Sequence, residues 1–399
     1  MSKEELDTRR QELDRIDRRL VETLRDRLDE VASIARIKAE GLPFLRDHER
    51  EAELLGRIGD WARELGLDAF RTEEIFREVI AMALKAQEEE LLSRDRASRS
   101  VESSHRVTYQ GTPGSYSHIA ARKYFASQAD RMEYQGYPTF VEALAEADEG
   151  RAGYAFLPIE NTTAGSINET YDLLRHTPLH IVGEEILQVR HCLAAHPGAV
   201  LKDLRRILSH PQALAQCTTF LADFPEAEKV AFEDTAAAAR AVAESGDRTA
   251  SAIASEEAAE LSGLEVIARD IANQAENWTR FVLISGIELE VDPRIPQKTS
   301  LVFTTPHREG ALAHCLDVLT RHNLNLEKLE SRPVPQRPWE YMFYVDFEGG
   351  DSPEAASLAV AELRRECPYL KYLGSYPART TRAGTVDRQR SVEAPSDIE

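Results

Sequence analysis

The stretch from Glu4 to Lys38 contains neither glycine nor proline, and at ~100° per residue it sets Leu6, Leu13, Ile16, Leu20, Leu24, Val31 and Ile34 on one stripe. Such a stripe predicts a long packed or coiled helix, ended by Gly41 and Pro43. Three cations share that face. Arg27 lies between Leu24 and Val31, Lys38 follows Ile34 by four residues, and Arg10 precedes Leu13 by three. A buried cation requires an anionic partner. The residues alone leave two readings open: internal ion pairs, for instance with Asp17, or an anionic ligand held within a helical bundle. At the stripe's ends the side chains could also reach solvent by snorkelling.

The rest of the chain has a different pattern. Residues 4–92 show no strand-like alternation, and residues 93–106 read as a polar linker. From Val107 to about Glu290, short apolar runs alternate with Ala-rich helical stretches, which predicts an α/β domain with a largely parallel sheet. Pro293 and Pro296 mark a second seam. Residues 297–377 read as strand, helix, strand, strand, helix, strand, and the polar tail 378–399 is expected to be disordered.

With 69 acidic against 49 basic residues the net charge is −20, which argues against general binding to nucleic acid or to anionic lipid. No apolar run approaches the ~20 residues that span a bilayer, and the N-terminal residues lack a signal-peptide core. Cys192, Cys217, Cys315 and Cys367 form no C-x-x-C pair and are too few for a disulfide scaffold. A cytoplasmic, multidomain protein is expected.

In the helical block, Asp47 is a candidate N-cap for a helix over Glu49–Leu65, and Thr72 for a third helix reaching about Leu92. Phe76, Ile80, Ala83 and Gln87 share one flank of that third helix, and a glutamine closing an apolar line must find hydrogen bonds. The set Arg10, Arg27, Lys38, Asp47-x-x-Arg50-Glu51 and Gln87 resembles the all-helical chorismate mutase domain across residues 4–92. The resemblance implies an intertwined homodimer or higher homo-oligomer. In it Arg27, Lys38 and Arg50, with Arg10 of the other chain, hold the substrate's two carboxylates and its ether oxygen. Glu51 and Asp47 would face the ring hydroxyl, and Gln87 the ether oxygen. Ala83 stands where a serine is often found. A pericyclic rearrangement needs the substrate folded and its growing charge met by fixed donors, without nucleophile or metal.

Four polar loops mark the α/β block. Gly111-Thr112-Pro113-Gly114-Ser115-Tyr116-Ser117-His118 follows a strand and opens a helix, a candidate anion site. Pro158-Ile159-Glu160-Asn161-Thr162-Thr163-Ala164-Gly165-Ser166 follows the apolar run Tyr154–Leu157. Ser209-His210-Pro211-Gln212 leads to Gln216-Cys217, and Asn277-Trp278-Thr279-Arg280-Phe281 enters a strand. Taken singly, the loops also fit ordinary turn chemistry, and Cys217 a buried structural cysteine.

As a set these loops resemble prephenate dehydratase over residues 105–285, which implies a two-lobed α/β fold like type II solute-binding (periplasmic-binding) proteins, with the site in the cleft. Thr279 is then the main catalytic residue, with Glu160, Asn161, Ser209 and Gln216 in the site. Ser115, Thr162, Thr163, Arg280 and Phe281 would line or support the cleft. Loss of carbon dioxide leaves its electrons in the ring, so the protein must mainly help hydroxide depart through a donor at the hydroxyl. No cofactor is implied.

Gly310-Ala311-Leu312-Ala313 and Glu330-Ser331-Arg332-Pro333 resemble the two ligand motifs of the phenylalanine-binding regulatory (ACT) domain, a ferredoxin-like α+β fold. Ala313 replaces a common valine, which would weaken binding. The combined expectation is an enzyme that converts chorismate to prephenate and prephenate to phenylpyruvate, with L-phenylalanine as inhibitor. The alternative keeps the dehydratase with a silent or weak mutase. A fusion to prephenate dehydrogenase is disfavoured because G-x-G-x-x-G is absent. A non-enzymatic two-lobed binding protein would not need the cationic helical block.

Overall fold

The computed structural model describes residues 3–39, 48–80, 82–83, 105–287, 297–334, 340–348 and 353–379. Residues 93–104 of the expected linker 93–106, the proline seam, Asp47, Gln87 and the tail beyond residue 379 lie outside the described residues, as does the Lys38 side chain, while Arg106 already belongs to the first strand. The chain divides into two compact units, the helices before residue 102 and the α/β remainder.

In the first unit, α1 (Lys3–Ala39) and α2 (His48–Glu64) match the helical periods within a residue or two. A third helix, α3, covers residues 69–80 and starts earlier than expected. Asp68, not Thr72, caps it: Asp68 Oδ1 accepts from the Arg71 amide at 2.9 Å, while the Thr72 hydroxyl donates back to the Asp68 carbonyl at 2.7 Å. Ile58, Ala62, Val79 and Ala83 are buried. Leu13, Ile16, Leu20, Val21 and Ile34 of α1, by contrast, are 46–65% exposed in the single chain.

Among the described residues the second unit contains three sheets. The first runs in the order β2 (Glu133–Tyr137), β1 (Arg106–Gln110), β3 (Tyr154–Asn161), β11 (Trp278–Ser285), β5 (His180–Gln188), with β4 (Gly165–Ser166) folded back on β3. The second has the order β10 (Glu265–Ala268), β6 (Cys192–Ala195), β9 (Ala250–Ala254), β7 (Arg206–Ser209), β8 (Glu228–Ala231). Both are mixed rather than largely parallel, because β11 runs antiparallel to β3 and β5, and β6 antiparallel to β9 and β10. The chain crosses between these lobes twice, through residues 189–191 and 269–277. A return strand entering the first sheet from the far lobe has no crossover helix to make it parallel.

Helices α4 (Tyr116–Tyr124), α5 (Phe140–Asp148) and α6 (Asn168–His176) belong to the first lobe. The second carries α7 (Pro211–Gln216), α8 (Thr218–Leu221), α9 (Thr235–Ser245) and α10 (Glu256–Leu261). Two further departures matter for the site. Strand β3 continues through Asn161, where the sequence suggests a loop from Pro158; a register shift against β11 accommodates that proline. Likewise β11 begins at Trp278, so Thr279 lies within the strand.

The third sheet has the order β13 (Asn325–Pro333), β14 (Tyr341–Glu348), β12 (Gln297–Thr304), β15 (Tyr369–Pro377), all antiparallel. With α11 (Ala311–Arg321) and α12 (Pro353–Glu366) the connection is strand, helix, strand, strand, helix, strand, as read from the sequence. One face packs Leu301, Phe303, Val345 and Phe347 against Cys315, Val318, Ala359 and Leu363 of the two helices. The other face shares a core with the first lobe, where Val302, Met342, Tyr344, Leu373 and Tyr376 meet Leu157, Tyr171, Ile181 and Val282.

Gly374 makes this junction close: its φ is +145°, and an added Cβ would fall on the Ile181 carbonyl oxygen. Gly374→Ala is therefore expected to lower stability by roughly 1–3 kcal/mol or more, measured as a fall in the thermal unfolding midpoint of the full chain.

Candidate active site

Antiparallel pairing places Thr279 of β11 opposite Asn161 of β3. Their side chains meet: Asn161 Nδ2 donates to Thr279 Oγ1 at 2.9 Å, and also to Asn277 Oδ1 at 2.7 Å. The orientation of the Asn161 amide follows from its other end. Asn161 Oδ1 accepts from the backbone amides of Thr163 and Ala164, at 3.0 and 2.8 Å, and from Thr163 Oγ1 at 2.7 Å. Backbone amides can only donate, so the atom facing them is the oxygen and the NH2 faces Thr279. Thr279 Oγ1 thus faces a donor at 2.9 Å, and the same Nδ2 lies 3.2 Å from the Trp278 carbonyl.

The cluster continues into the second lobe. Gln216 Nε2, at the end of α7, donates to Thr163 Oγ1 at 2.6 Å. Gln216 Oε1 faces Asn277 Nδ2 at 3.2 Å and His191 Nε2 at 2.9 Å. His191 Nδ1 is 3.1 Å from the Tyr116 hydroxyl, which donates to the Arg190 carbonyl at 2.7 Å. Burial lowers the His191 pKa below the ordinary imidazole range, against a smaller opposing effect of the Gln216 hydrogen bond. Every member of this cluster is uncharged at neutral pH.

Of the residues expected in the cleft, Thr279, Asn161, Thr163 and Gln216 come together. Thr162 clamps the start of β11: its Oγ1 accepts from the Trp278 amide at 2.9 Å. The others are placed elsewhere. Ser209 is fully buried, and its hydroxyl donates to the Ile253 carbonyl at 2.7 Å. Ser115 caps α4. The glycine-rich turn beside it does not present an open anion site, because the Asp234 carboxylate takes the Thr112 amide at 3.1 Å and the Thr112 hydroxyl at 3.3 Å. Phe281 stacks on Phe156 in the core at 5.7 Å between ring centroids. Burial pushes the Cys217 thiol up to about 12, which suits a packed cysteine rather than a nucleophile.

Glu160 and Arg280 also pair across the strands, one residue out of phase with Asn161 and Thr279, so their side chains point to the opposite face. There Glu160 meets Lys328 of β13 at 2.9 Å. Arg280 donates to Glu184 at 2.7 Å, to Asp346, and to the Tyr376 hydroxyl at 2.8 Å, while Lys298 donates to Glu184 at 2.9 Å. Burial alone would raise the Glu184 carboxyl, but Arg280 and Lys298 outweigh it and hold it below the ordinary range; Asp346 is lowered in the same way, chiefly by Arg280. Arg379, inside the expected tail, donates its amide to Glu184 at 2.8 Å.

Lys328, Glu330 and Arg332 occupy alternate positions on β13 and all engage the first lobe. Ser166 donates to Glu330 at 3.0 Å, and Arg332 donates to the Asn168 carbonyl at 2.7 Å and to Asp172 at 3.0 Å. Ser331 and Pro333 alternate with them and are exposed. Gly310 is the left-handed N-cap of α11, Ala311 is buried, Leu312 half-buried and Ala313 exposed.

In the helical unit, Arg27 is half-buried and its Nη1 lies 3.5 Å from the Val79 carbonyl of α3. Arg10 is exposed beside Asp7, Arg50 pairs with Glu53 at 3.0 Å, and Glu51 is half-buried. His191, Asn277 and Tyr116 were not among the expected site residues. Asn277 had a usable signal, standing two residues before Thr279. His191 is a solitary histidine with no local pattern around it.

The prephenate dehydratase family model matches residues 107–288, and the chorismate mutase type II model residues 9–88. A bifunctional chorismate mutase/prephenate dehydratase of Enterobacter agglomerans is 37% identical over 92% of this chain and 95% of its own. A prephenate dehydratase from Arthrobacter aurescens, solved with L-Phe, is 31% identical with a TM-score of 0.61 over 68% of this chain and 90% of that one. GqqA, described as a quorum-quenching acylase, is 35% identical with the same TM-score, over 69% of this chain and 98% of its own. Two family models in one order, and a relative matched along nearly its whole length, establish that the chain belongs to the bifunctional chorismate mutase/prephenate dehydratase family.

Proposed function

We propose that the chain rearranges chorismate to prephenate in its helical unit and converts prephenate to phenylpyruvate in the cleft of the α/β unit. The observation that carries the second step is the Asn161 amide, turned by two backbone N–H groups so that it donates to Thr279. Prephenate loses its ring carboxylate as carbon dioxide; that bond's electron pair enters the ring, and the C–O bond opposite breaks. Thr279 donates its hydrogen bond to the departing hydroxyl, which leaves as water with a proton made up from solvent. An uncharged hydrogen-bonded surround suits this step, since aromatisation supplies the driving force and no nucleophile is required.

For the first step, Arg27 and Arg50, with Lys38 and a partner chain's Arg10, would hold the dianion. The exposed face of α1 supports an intertwined homodimer, since Leu13, Ile16, Leu20 and Val21 have no cover in the single chain. The third sheet has the strand order of a ferredoxin-like fold, and we read it as an ACT domain that takes up L-phenylalanine. Glu330 and Arg332 are engaged with the first lobe, so the ligand would meet the outward residues Ala313, Ser331 and Pro333 together with the Gly310 turn. Among the described residues no helix is long and apolar enough to cross a membrane.

Supplied with chorismate, the intact chain is expected to accumulate prephenate transiently and then phenylpyruvate, and L-phenylalanine to slow the second step. Turnover of prephenate without turnover of chorismate would leave a dehydratase with a silent mutase.

A further inference from the structure

The cluster around Thr279 allows proton positions to be assigned far beyond Asn161. Asn161 Nδ2 is a donor, so the Asn277 atom that it faces at 2.7 Å is the oxygen. Asn277 then presents its NH2 to Gln216, and the Gln216 atom facing it at 3.2 Å is again the oxygen. The same oxygen lies 2.9 Å from His191 Nε2, which must therefore carry the proton. His191 Nδ1 is left as an acceptor, and the one proton of the Tyr116 hydroxyl is then shared between Nδ1 at 3.1 Å and the Arg190 carbonyl at 2.7 Å. The whole polarity descends from two backbone amides, those of Thr163 and Ala164.

We propose that His191 is a positioning residue of the dehydratase site, neutral with its proton on Nε2, and that its N–H holds the Gln216 amide so that Gln216 donates to Thr163. This rests on the reading of Thr279 as donor to the substrate. His191 is 2% exposed and stands where the chain leaves the first lobe for the second; Asn277 closes the return crossing. Gln216 belongs to the second lobe and Thr163 to the first, so this bond spans the cleft. With both Gln216 oxygen lone pairs taken by residues of the two crossings, its NH2 has one direction left. Without His191, Asn277 alone fixes the amide, at the longer distance, and the link to Thr163 loosens. The Thr163 hydroxyl in turn is one of the three donors that hold Asn161.

Two measurements on the full chain test this. Long-range proton–nitrogen correlation spectra of 15N-histidine-labelled protein at pH 7.5, with His191→Gln identifying the His191 signals, are expected to show a neutral ring protonated at Nε2. A ring protonated at Nδ1, or at both nitrogens, overturns the proposal whatever Thr279 does. In steady-state kinetics, His191→Leu is expected to lower kcat for phenylpyruvate formation about 10²-fold with KM changed less than about threefold, since a small misplacement suffices for such a loss. His191→Gln, whose amide N–H takes the place of Nε2, is expected to recover most of the rate. Equal losses in both variants, or a raised KM at unchanged kcat, count against it. If His191→Leu does not fold, as judged by its thermal midpoint, the spectra and His191→Gln decide. A fully active Thr279→Val would sink the donor reading while leaving the tautomer assignment standing.

Discussion

Thr279→Val is expected to lower kcat for phenylpyruvate formation by about 10²–10⁴-fold while chorismate turnover by the same preparation stays near wild type. Valine keeps the shape and the β-propensity of the strand, so β11 and its pairing with β3 should persist. It removes the group that presents a proton to the departing hydroxyl, while Asn161 Nδ2 keeps Asn277 Oδ1 at 2.7 Å and the Trp278 carbonyl at 3.2 Å as acceptors. The stability loss should therefore be modest, about 1–3 kcal/mol at most. Thr279→Ser restores the hydroxyl and should recover a large part of the rate. A valine variant with more than a tenth of the wild-type kcat means that Thr279 is not the donor; loss of both activities in a folded variant means that the two sites are not separate.

The largest expected stability change comes from the other face of the same strand. The Arg280 side chain is 11% exposed, with Glu184 at 0% and Asp346 at 11%, and Arg280→Met leaves the buried Asp346 without its ion-pair partner and Glu184 with Lys298 alone. Removing one partner of such a cluster typically costs ~3–5 kcal/mol. For a unit of about 290 residues, with ~2.1 cal/mol/K of unfolding entropy per residue, that is a fall in thermal midpoint of roughly 5–8 °C.

The dependence on pH has a definite sign. Glu184 and Asp346 have folded pKa values below their unfolded ones, so their contribution is complete above about pH 5 and is lost as pH falls through the folded values. In Arg280→Met the same burial, no longer opposed by the guanidinium, penalises the charged carboxylates. The gap between wild type and variant should thus be widest near neutrality and narrow toward pH 3, measured by urea unfolding at several pH values. Replacing Arg280, Glu184, Asp346 and Lys298 together by apolar residues should cost less than Arg280→Met alone. An equal gap at pH 7 and pH 3.5 would show that packing, not charge, holds this joint.

Helix α1 was legible because an unbroken apolar period is a property of neighbouring residues. The four polar motifs of the α/β block were legible in the same sense, and Thr279, Asn161, Thr163 and Gln216 meet in the folded chain. The sequence reading also treats Glu160 with Asn161, and Arg280 with Thr279, as members of one cleft. Strand pairing separates them: adjacent residues of a strand face opposite ways, and both strands extend further than their hydrophobic runs suggest. Pro158 hides the continuation of β3, because a proline in a strand is admitted only where a partner shifts register to receive it.

By itself, then, the sequence determined the order of the helical, α/β and C-terminal blocks, most of their described helices and strands, and the polar motifs to which the chemistry is assigned by proposal. Only the tertiary structure decided which neighbours share a face, that the return strand β11 makes the first sheet mixed, and that His191 and Asn277 complete the cluster around Thr279. The division has one physical cause. Periodicity and capping act over a few residues along the chain, whereas a buried polar group takes its partner from whatever register brings near, and for Asn161 and Thr279 that partner stands 118 residues away.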